Sequence, residues 1–333
     1  MFPARKDLYQ QLEAARGSKL LVYVTGDRPG METQISQEVY DKFVDHLDKI
    51  GVVPKISLYL YTRGGNVMAA WSLINLINTF CDDLEVIIPS KALSAGTLMA
   101  LGAKRLVMTK QATIGPIDPS LSGGPLHPQI PGGAANTRAP VNVEEVNGFV
   151  EFARTELNIR GEEHVVKVLD QLSQRIHPLV LGAVYRTKSQ IKMLAKRLLT
   201  AQISDPAKID KLVAFLCQDS GSHDYTIHRR EAKDVLGLQV EKPSADLYPK
   251  VKQIYDDIAT ELLLTTAWDP TACLAGHPSA TYNCRRVLLE SLAGGTDVFL
   301  SEGELSSNQM MTPNGMQKAI SDRRDFEGWR HEN

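Results

Sequence analysis

Two short stretches of this sequence place small residues where a backbone amide can be aimed into a cavity: Thr62-Arg63-Gly64-Gly65-Asn66 and Leu93-Ser94-Ala95-Gly96-Thr97. Each follows an apolar run short enough for a buried strand and leads into a run with helical spacing. A Gly-Gly pair frees its peptide plane, and the helix start behind it adds the positive end of a helix dipole, so both turns can hold negative charge. Ser94 can project its hydroxyl while the N–H of Ala95 points the same way, so one turn can both attack a carbonyl and stabilise the product oxygen. The ordinary role of a serine at a helix start is to cap it, and that reading stands beside the nucleophilic one.

The elements that must position these turns alternate. Leu20-Leu21-Val22-Tyr23-Val24, residues 56–61, 84–88 and 105–108 read as strands. Between them, 36–50 reads as a helix with Val39, Phe43, Val44 and Leu47 on one face, and Met68, Trp71, Ile74, Leu76, Ile77 and Phe80 mark a helix apolar enough to pack inside. Strand and helix in alternation predict an α/β fold. Residues 115–140 are dense in Gly and Pro and predict a long, functional loop. Asn142 and Glu145 have the spacing of a capping box, opening a helix with Val146, Phe149, Val150, Ala153 and Leu157 inward. Helices continue to about 216, including a basic amphipathic stretch at 180–199 whose polar side reads as a solvated or subunit-contact face. Past Gly237 the pattern changes to a helix near 246–264, a hairpin joining Val287-Leu288-Leu289 to Val298-Phe299-Leu300 through Ala293-Gly294-Gly295, and a polar tail of about 20 residues expected to fray. The expected division is therefore 1–245 and a carboxy-terminal extension, 246–333.

Composition narrows the partners. The 333 residues are 43% hydrophobic and 23% charged with a formal charge of -2, which suits a folded protein and supplies no basic excess for nucleic acid or an anionic membrane. Four scattered cysteines, Cys81, Cys217, Cys273 and Cys284, show neither a CxxC pair nor metal-ligand spacing. The first residues lack the apolar core of a secretion signal, and no apolar run approaches the roughly 18 residues of a membrane span. The expected location is cytoplasmic.

The order Tyr61-Thr62-Arg63-Gly64-Gly65, helix, strand, Ser94-Ala95-Gly96 and Leu101-Gly102-Ala103-Lys104-Arg105 resembles the Clp protease proteolytic subunit and signal peptide peptidase A, and most of all the serine dehydrogenase proteinase family. Ile114-Gly115-Pro116-Ile117-Asp118-Pro119, Ser222-His223-Asp224-Tyr225 and the run 230–238 extend the likeness over about 20–240. The resemblance implies a Clp–crotonase-like spiral of strand-strand-helix units with a helical second part, Ser94 as the acyl-enzyme nucleophile, and an oxyanion hole in the Gly64-Gly65 turn and at Ala95, with the amides of Gly65 and Ala95 as donors. It implies no metal and no cofactor, a peptide or protein substrate, and a homo-oligomer, while leaving open whether a membrane protein or an ATPase delivers substrate.

The general base does not transfer. The histidine slot of the Clp subunit falls near Pro116, and no lysine lies between Lys110 and Lys167, where signal peptide peptidases place theirs. His223, beside Asp224 and close to where the Clp subunit brings its triad aspartate, is the first candidate. Lys188, whose pKa desolvation can lower, and His177 follow. Asp118 and Asp224 are candidate orienting groups, although an aspartate between prolines is commonly an Asx-turn residue. Arg63 at a strand end is ordinarily a solvated group. Three readings remain: a serine peptidase, a crotonase-like acyl-CoA enzyme that would leave Ser94 idle, and an inactive assembly or adaptor protein of the same fold.

Overall fold

Seven residues, Lys19–Thr25, suffice to start the central sheet because six of them are buried and three are β-branched. The computed structural model describes residues 2–117, 120–121, 124–132, 134, 137–219, 224–312 and 315–332. The chain forms two units, 1–114 with 227–333 and 115–226.

In the first unit, α1 (Phe2–Arg16) precedes β1 (Lys19–Thr25), α2 (Tyr40–Ile50), β2 (Val53–Tyr61), α3 (Val67–Phe80), β3 (Cys81–Ile88), β4 (Lys91–Ala92), α4 (Ala95–Leu101), β5 (Arg105–Met108) and β6 (Thr113–Ile114). The second unit holds β7 (Ser120–Leu121) paired with β8 (Val141–Asn142), then α5 (Val143–Glu151), α6 (Glu162–Arg175), α7 (Pro178–Leu199) and α8 (Pro206–Ala214). The first unit resumes with β9 (Ile227–His228), β10 (Val240–Glu241), α9 (Leu247–Glu261), α10 (Pro270–Leu274), β11 (Ser279–Ser291), β12 (Gly295–Thr312) and β13 (Gly315–Glu332).

The main sheet runs β10-β5-β3-β2-β1-β11-β12-β13. Its first five strands are parallel, with Val24 opposite Tyr61, Tyr59 opposite Ile87 and Ile88 opposite Met108. This is the mixed α/β class that the sequence predicts. The helix crossovers of such a sheet bring its strand ends together, and both small-residue turns sit there: Gly64-Gly65 after β2, and Ser94 after β4. One face of the sheet packs Val22, Val24, Tyr59, Tyr61 and Ile87 against α1 and α9. On α2, Phe43 meets Tyr23 edge-on, 5.1 Å between ring centres. A three-stranded sheet, β4-β6-β9, stands beside the serine turn.

Several expectations are corrected. The division at residue 245 falls inside the first unit, because β11 pairs antiparallel with β1 and so continues its sheet. The tail expected to fray is β13, whose backbone pairs with β12 along its length. The α3 helix buries Ala69, Ala70, Leu73, Ile74 and Ile77, but Met68 is exposed and Trp71, Leu76 and Phe80 are only half-buried. In the second unit Asn142 does cap α5, accepting from the N–H groups of Glu144 and Glu145. There Ala153 is buried, whereas Phe149 and Leu157 are exposed rather than inward.

Candidate active site

The Gly64-Gly65 turn exists because two neighbours hold it from opposite sides. Gly64 and Gly65 adopt φ of 108° and 141°, conformations that L side chains rarely enter. Ile35 donates its N–H to the Gly64 carbonyl at 2.8 Å and accepts from the Asn66 N–H at 2.8 Å. In such a parallel bridge the middle residue turns its own N–H to the other side, so the Gly65 amide faces away from Ile35. On the serine side, Thr62 donates its N–H to the Lys91 carbonyl and accepts from Leu93, both at 3.1 Å. The Thr62 side chain adds a further restraint: its Oγ1 accepts the Gly64 N–H at 3.0 Å and the Thr25 hydroxyl at 2.7 Å.

Ser94 stands at φ 51° and ψ -114°. A capping serine has extended backbone and lends its oxygen to the first turn; this one does neither, since its side chain makes no cap bond. The capping reading is therefore overturned. A non-glycine residue in this region stores on the order of 1–3 kcal/mol of strain, which the surroundings must impose. Here α4 behind it is wholly buried, and three glycines let the turns touch. A Cβ on Gly64 would lie 2.8 Å from Ser94 Cβ and 3.2 Å from the Ala95 nitrogen. One on Gly65 would meet the Ile35 nitrogen and oxygen at 2.5 Å, and one on Gly96 would meet the Thr62 methyl at 2.4 Å.

The result is a half-exposed hydroxyl beside two amides. Among the described residues no acceptor takes the N–H of Gly65 or of Ala95 and no group bonds the Ser94 hydroxyl. Two such donors near one nucleophile can stabilise a tetrahedral oxyanion, and losing one of them typically slows reaction by ~10²–10³.

The other predicted residues divide. His223 and Asp118 lie outside the described residues. Asp224 is exposed. Lys188, on α7, is half-buried with its Nζ 3.9 Å from Glu144 Oε1; burial pushes its pKa below the ordinary lysine value against the opposing pull of Glu144. His177 caps α7, accepting the Leu179 N–H at 3.2 Å, which is a structural role. Arg63 is exposed. Among the described residues there is no cluster of metal-ligating side chains, and no helix is long and apolar enough to cross a membrane.

One constellation escaped the sequence analysis. His46 of α2 places Nδ1 2.8 Å from Ser291 Oγ and Nε2 3.1 Å from Asp297 Oδ2. All three side chains are buried. Ser291 Oγ also accepts the Gly294 N–H at 2.8 Å, and Asp297 receives Lys42 at 3.1 Å and His331 at 3.1 Å. A Cβ on Gly294 would fall 2.2 Å from His46 Nδ1. The signal was present: His46 lies three residues after Phe43, on the apolar side of its helix.

Residues 31–132 match the ClpP-like SDH-type serine proteinase family. This matched segment contains Ile35, Thr62, both glycines and Ser94, and stops well short of Ser291. Two proteins of Methanocaldococcus jannaschii (strain ATCC 43067 / DSM 2661 / JAL-1 / JCM 10045 / NBRC 100440) are similar to the chain. MJ0137 is 38% identical over 78 residues, 22% of this chain and 27% of that protein. MJ1495 is 29% identical over 121 residues, 34% of this chain and 40% of that protein. The aligned stretches thus span less than half of either relative. Among solved structures, a serine-to-alanine mutant of the 1510-N membrane-bound stomatin-specific protease is 16% identical with a TM-score of 0.39, covering 65% of this chain and 79% of that one. ClpP1 from Listeria monocytogenes is 15% identical with a TM-score of 0.36, covering 72% and 99%.

Proposed function

We propose that this protein is a serine endopeptidase that cleaves peptide or protein substrates through an acyl-enzyme on Ser94. The observation that carries the reading is the close approach of the two turns, where a Cβ added to Gly64 would strike Ser94 Cβ and the Ala95 nitrogen, beside the outward-turned amide of Gly65. Ser94 Oγ attacks the scissile carbonyl carbon as its proton passes to a base. The carbonyl oxygen, now negative, accepts from the N–H groups of Gly65 and Ala95. Collapse expels the amine, which takes up the proton, and water then hydrolyses the ester. The match of residues 31–132 to serine proteinases supports the same chemistry.

His223 and Lys188 are the proposed bases, with Asp118 and Asp224 as orienting groups. The lowered pKa of Lys188 favours a neutral amine. The protein is proposed to work in the cytoplasm as a homo-oligomer; light scattering at micromolar concentration that returned the 36.7 kDa of a single chain would remove the oligomer.

A fluorophosphonate probe tests the reading. Wild type is expected to label and Ser94→Ala to lose labelling by ~10³ or more. Replacing His223 and Lys188 singly by alanine identifies the base as the one whose loss has a comparable effect. A wild type that does not label favours the adaptor reading, and coenzyme A binding without labelling favours the acyl-CoA enzyme.

A further inference from the structure

We propose that Arg286, on the carboxy-terminal strands outside the matched segment, is a positioning residue for the oxyanion turn; the inference rests on the peptidase reading above. The register between β11 and β12 is disturbed here, shifting between Arg285 and Val287. A bulge re-aims the residue it contains, and both ends of Arg286 are turned onto the loop that leads to Ile35. Its carbonyl accepts the Gly26 N–H at 2.7 Å and the Thr33 hydroxyl at 3.0 Å. Gly26 is small enough to allow this, since a Cβ there would sit 2.6 Å from the Arg286 oxygen.

The guanidinium completes the clamp. Nε donates to the Met31 carbonyl at 3.1 Å and Nη2 to the Glu32 carbonyl at 2.8 Å. Nη1 is held by Ser301 of β12 at 2.9 Å and Glu327 of β13 at 3.3 Å. A planar fork with fixed donors suits this task in a way a lysine ammonium does not. The loop is seated a second time by Met31, which is buried with Leu274, Tyr282, Cys284 and Leu305. Three residues beyond Glu32, Ile35 makes the two bonds that hold Gly64 and Asn66. A path of hydrogen bonds and a short length of backbone therefore runs from β12 and β13 through Arg286 and residues 31–35 to the peptide that presents the Gly65 amide. The carboxy-terminal strands serve the active site by fixing the direction of one oxyanion donor.

The test compares wild type with Arg286→Met and Arg286→Lys by amide hydrogen exchange and by the kinetics of fluorophosphonate inactivation. In Arg286→Met, the Ile35 and Asn66 amides are expected to exchange ~10-fold faster or more, and the inactivation rate constant to fall ~10–100-fold while the half-saturating probe concentration stays within ~2-fold. Arg286→Lys should fall between the two. Ser301→Ala and Glu327→Gln weaken the outer anchors only, and are expected to raise exchange at the same amides by ~5-fold, the worth of one hydrogen bond; they decide the matter if Arg286→Met does not fold. Unchanged exchange at Ile35 and Asn66 in folded variants overturns the inference, as does an inactivation rate equal to wild type. A wild type that never labels removes the peptidase reading alone, and exchange then decides whether Arg286 holds the turn.

Discussion

Ser94 and Ser291 differ in every respect that chemistry requires of a nucleophile. Ser291 has a histidine and an aspartate in line, all at hydrogen-bonding distance. Ser94 has a strained backbone and a bare hydroxyl among the described residues. The first set is buried and engaged with itself: the pattern closes when Ser291 donates to His46 Nδ1 and the Nε2–H donates to Asp297 Oδ2, while Asp297 Oδ1 faces Lys42 as an ion pair. Burial keeps a substrate carbonyl from reaching it. Its work is to tie α2 to the β11–β12 turn and, through His331, to β13. At Ser94 the order is reversed: among the described residues no acceptor takes the Gly65 or Ala95 amide, and the serine backbone stands at positive φ. The proposed nucleophile is thus the half-buried serine beside the glycine turn, and not the one in line with a histidine and an aspartate.

The comparison breaks first at the serines themselves. Ser94→Ala should abolish fluorophosphonate labelling, and Ser291→Ala should label at the wild-type rate; labelling of Ser291 in the native protein, read by mass spectrometry of the adduct, would invert the assignment. Next in size is Gly65→Ala, which forces a side chain into φ 141° and against Ile35. Its inactivation rate should drop ~10²-fold or more, with a circular dichroism spectrum like that of wild type. Asp297→Ala leaves Lys42 and His46 facing an empty site and should cost about 3 kcal/mol of stability by urea denaturation, with no change in the rate at which the folded protein labels.

The acid limb sharpens the same contrast. Burial alone would raise the Asp297 pKa, but the bonds from His46, His331 and Lys42 prevail and hold it well below the usual carboxylate range. A folded-state pKa below the unfolded value, ~3.9 for aspartate, contributes stability that is complete above that value and is lost as pH falls through the folded one. The melting temperature of wild type should thus fall more steeply than that of Asp297→Ala below about pH 4. The smallest change in stability is expected for Ser94→Gly, which relieves the positive φ and should raise stability by about 1 kcal/mol.

Much of the site was legible because turn chemistry is local. Gly64-Gly65 and Ser94-Ala95-Gly96 announce their conformations through residue type, and the strands and helices around them through the period of their apolar residues. The carboxy-terminal strands were read as an extension because nothing in 279–332 states which strand it will join. Pairing β11 with β1 spans more than 250 residues of chain, and no local preference encodes it. The apolar face of α5 misled for a related reason: spacing marks which side of a helix is apolar, and whether another element covers Phe149 is a matter of packing.

By itself, the sequence determined the α/β class, the two turns and the serine within the second of them, since backbone freedom and hydrophobic period are properties of neighbouring residues. Only the tertiary structure decided that Ser94 is strained rather than capping, that Ile35 and Arg286 hold the glycine turn from a distance, and that a complete Ser–His–Asp set lies buried in the core. Those outcomes depend on which surfaces meet across the sheet, and contact between remote segments is set by packing and hydrogen-bond closure of the whole chain.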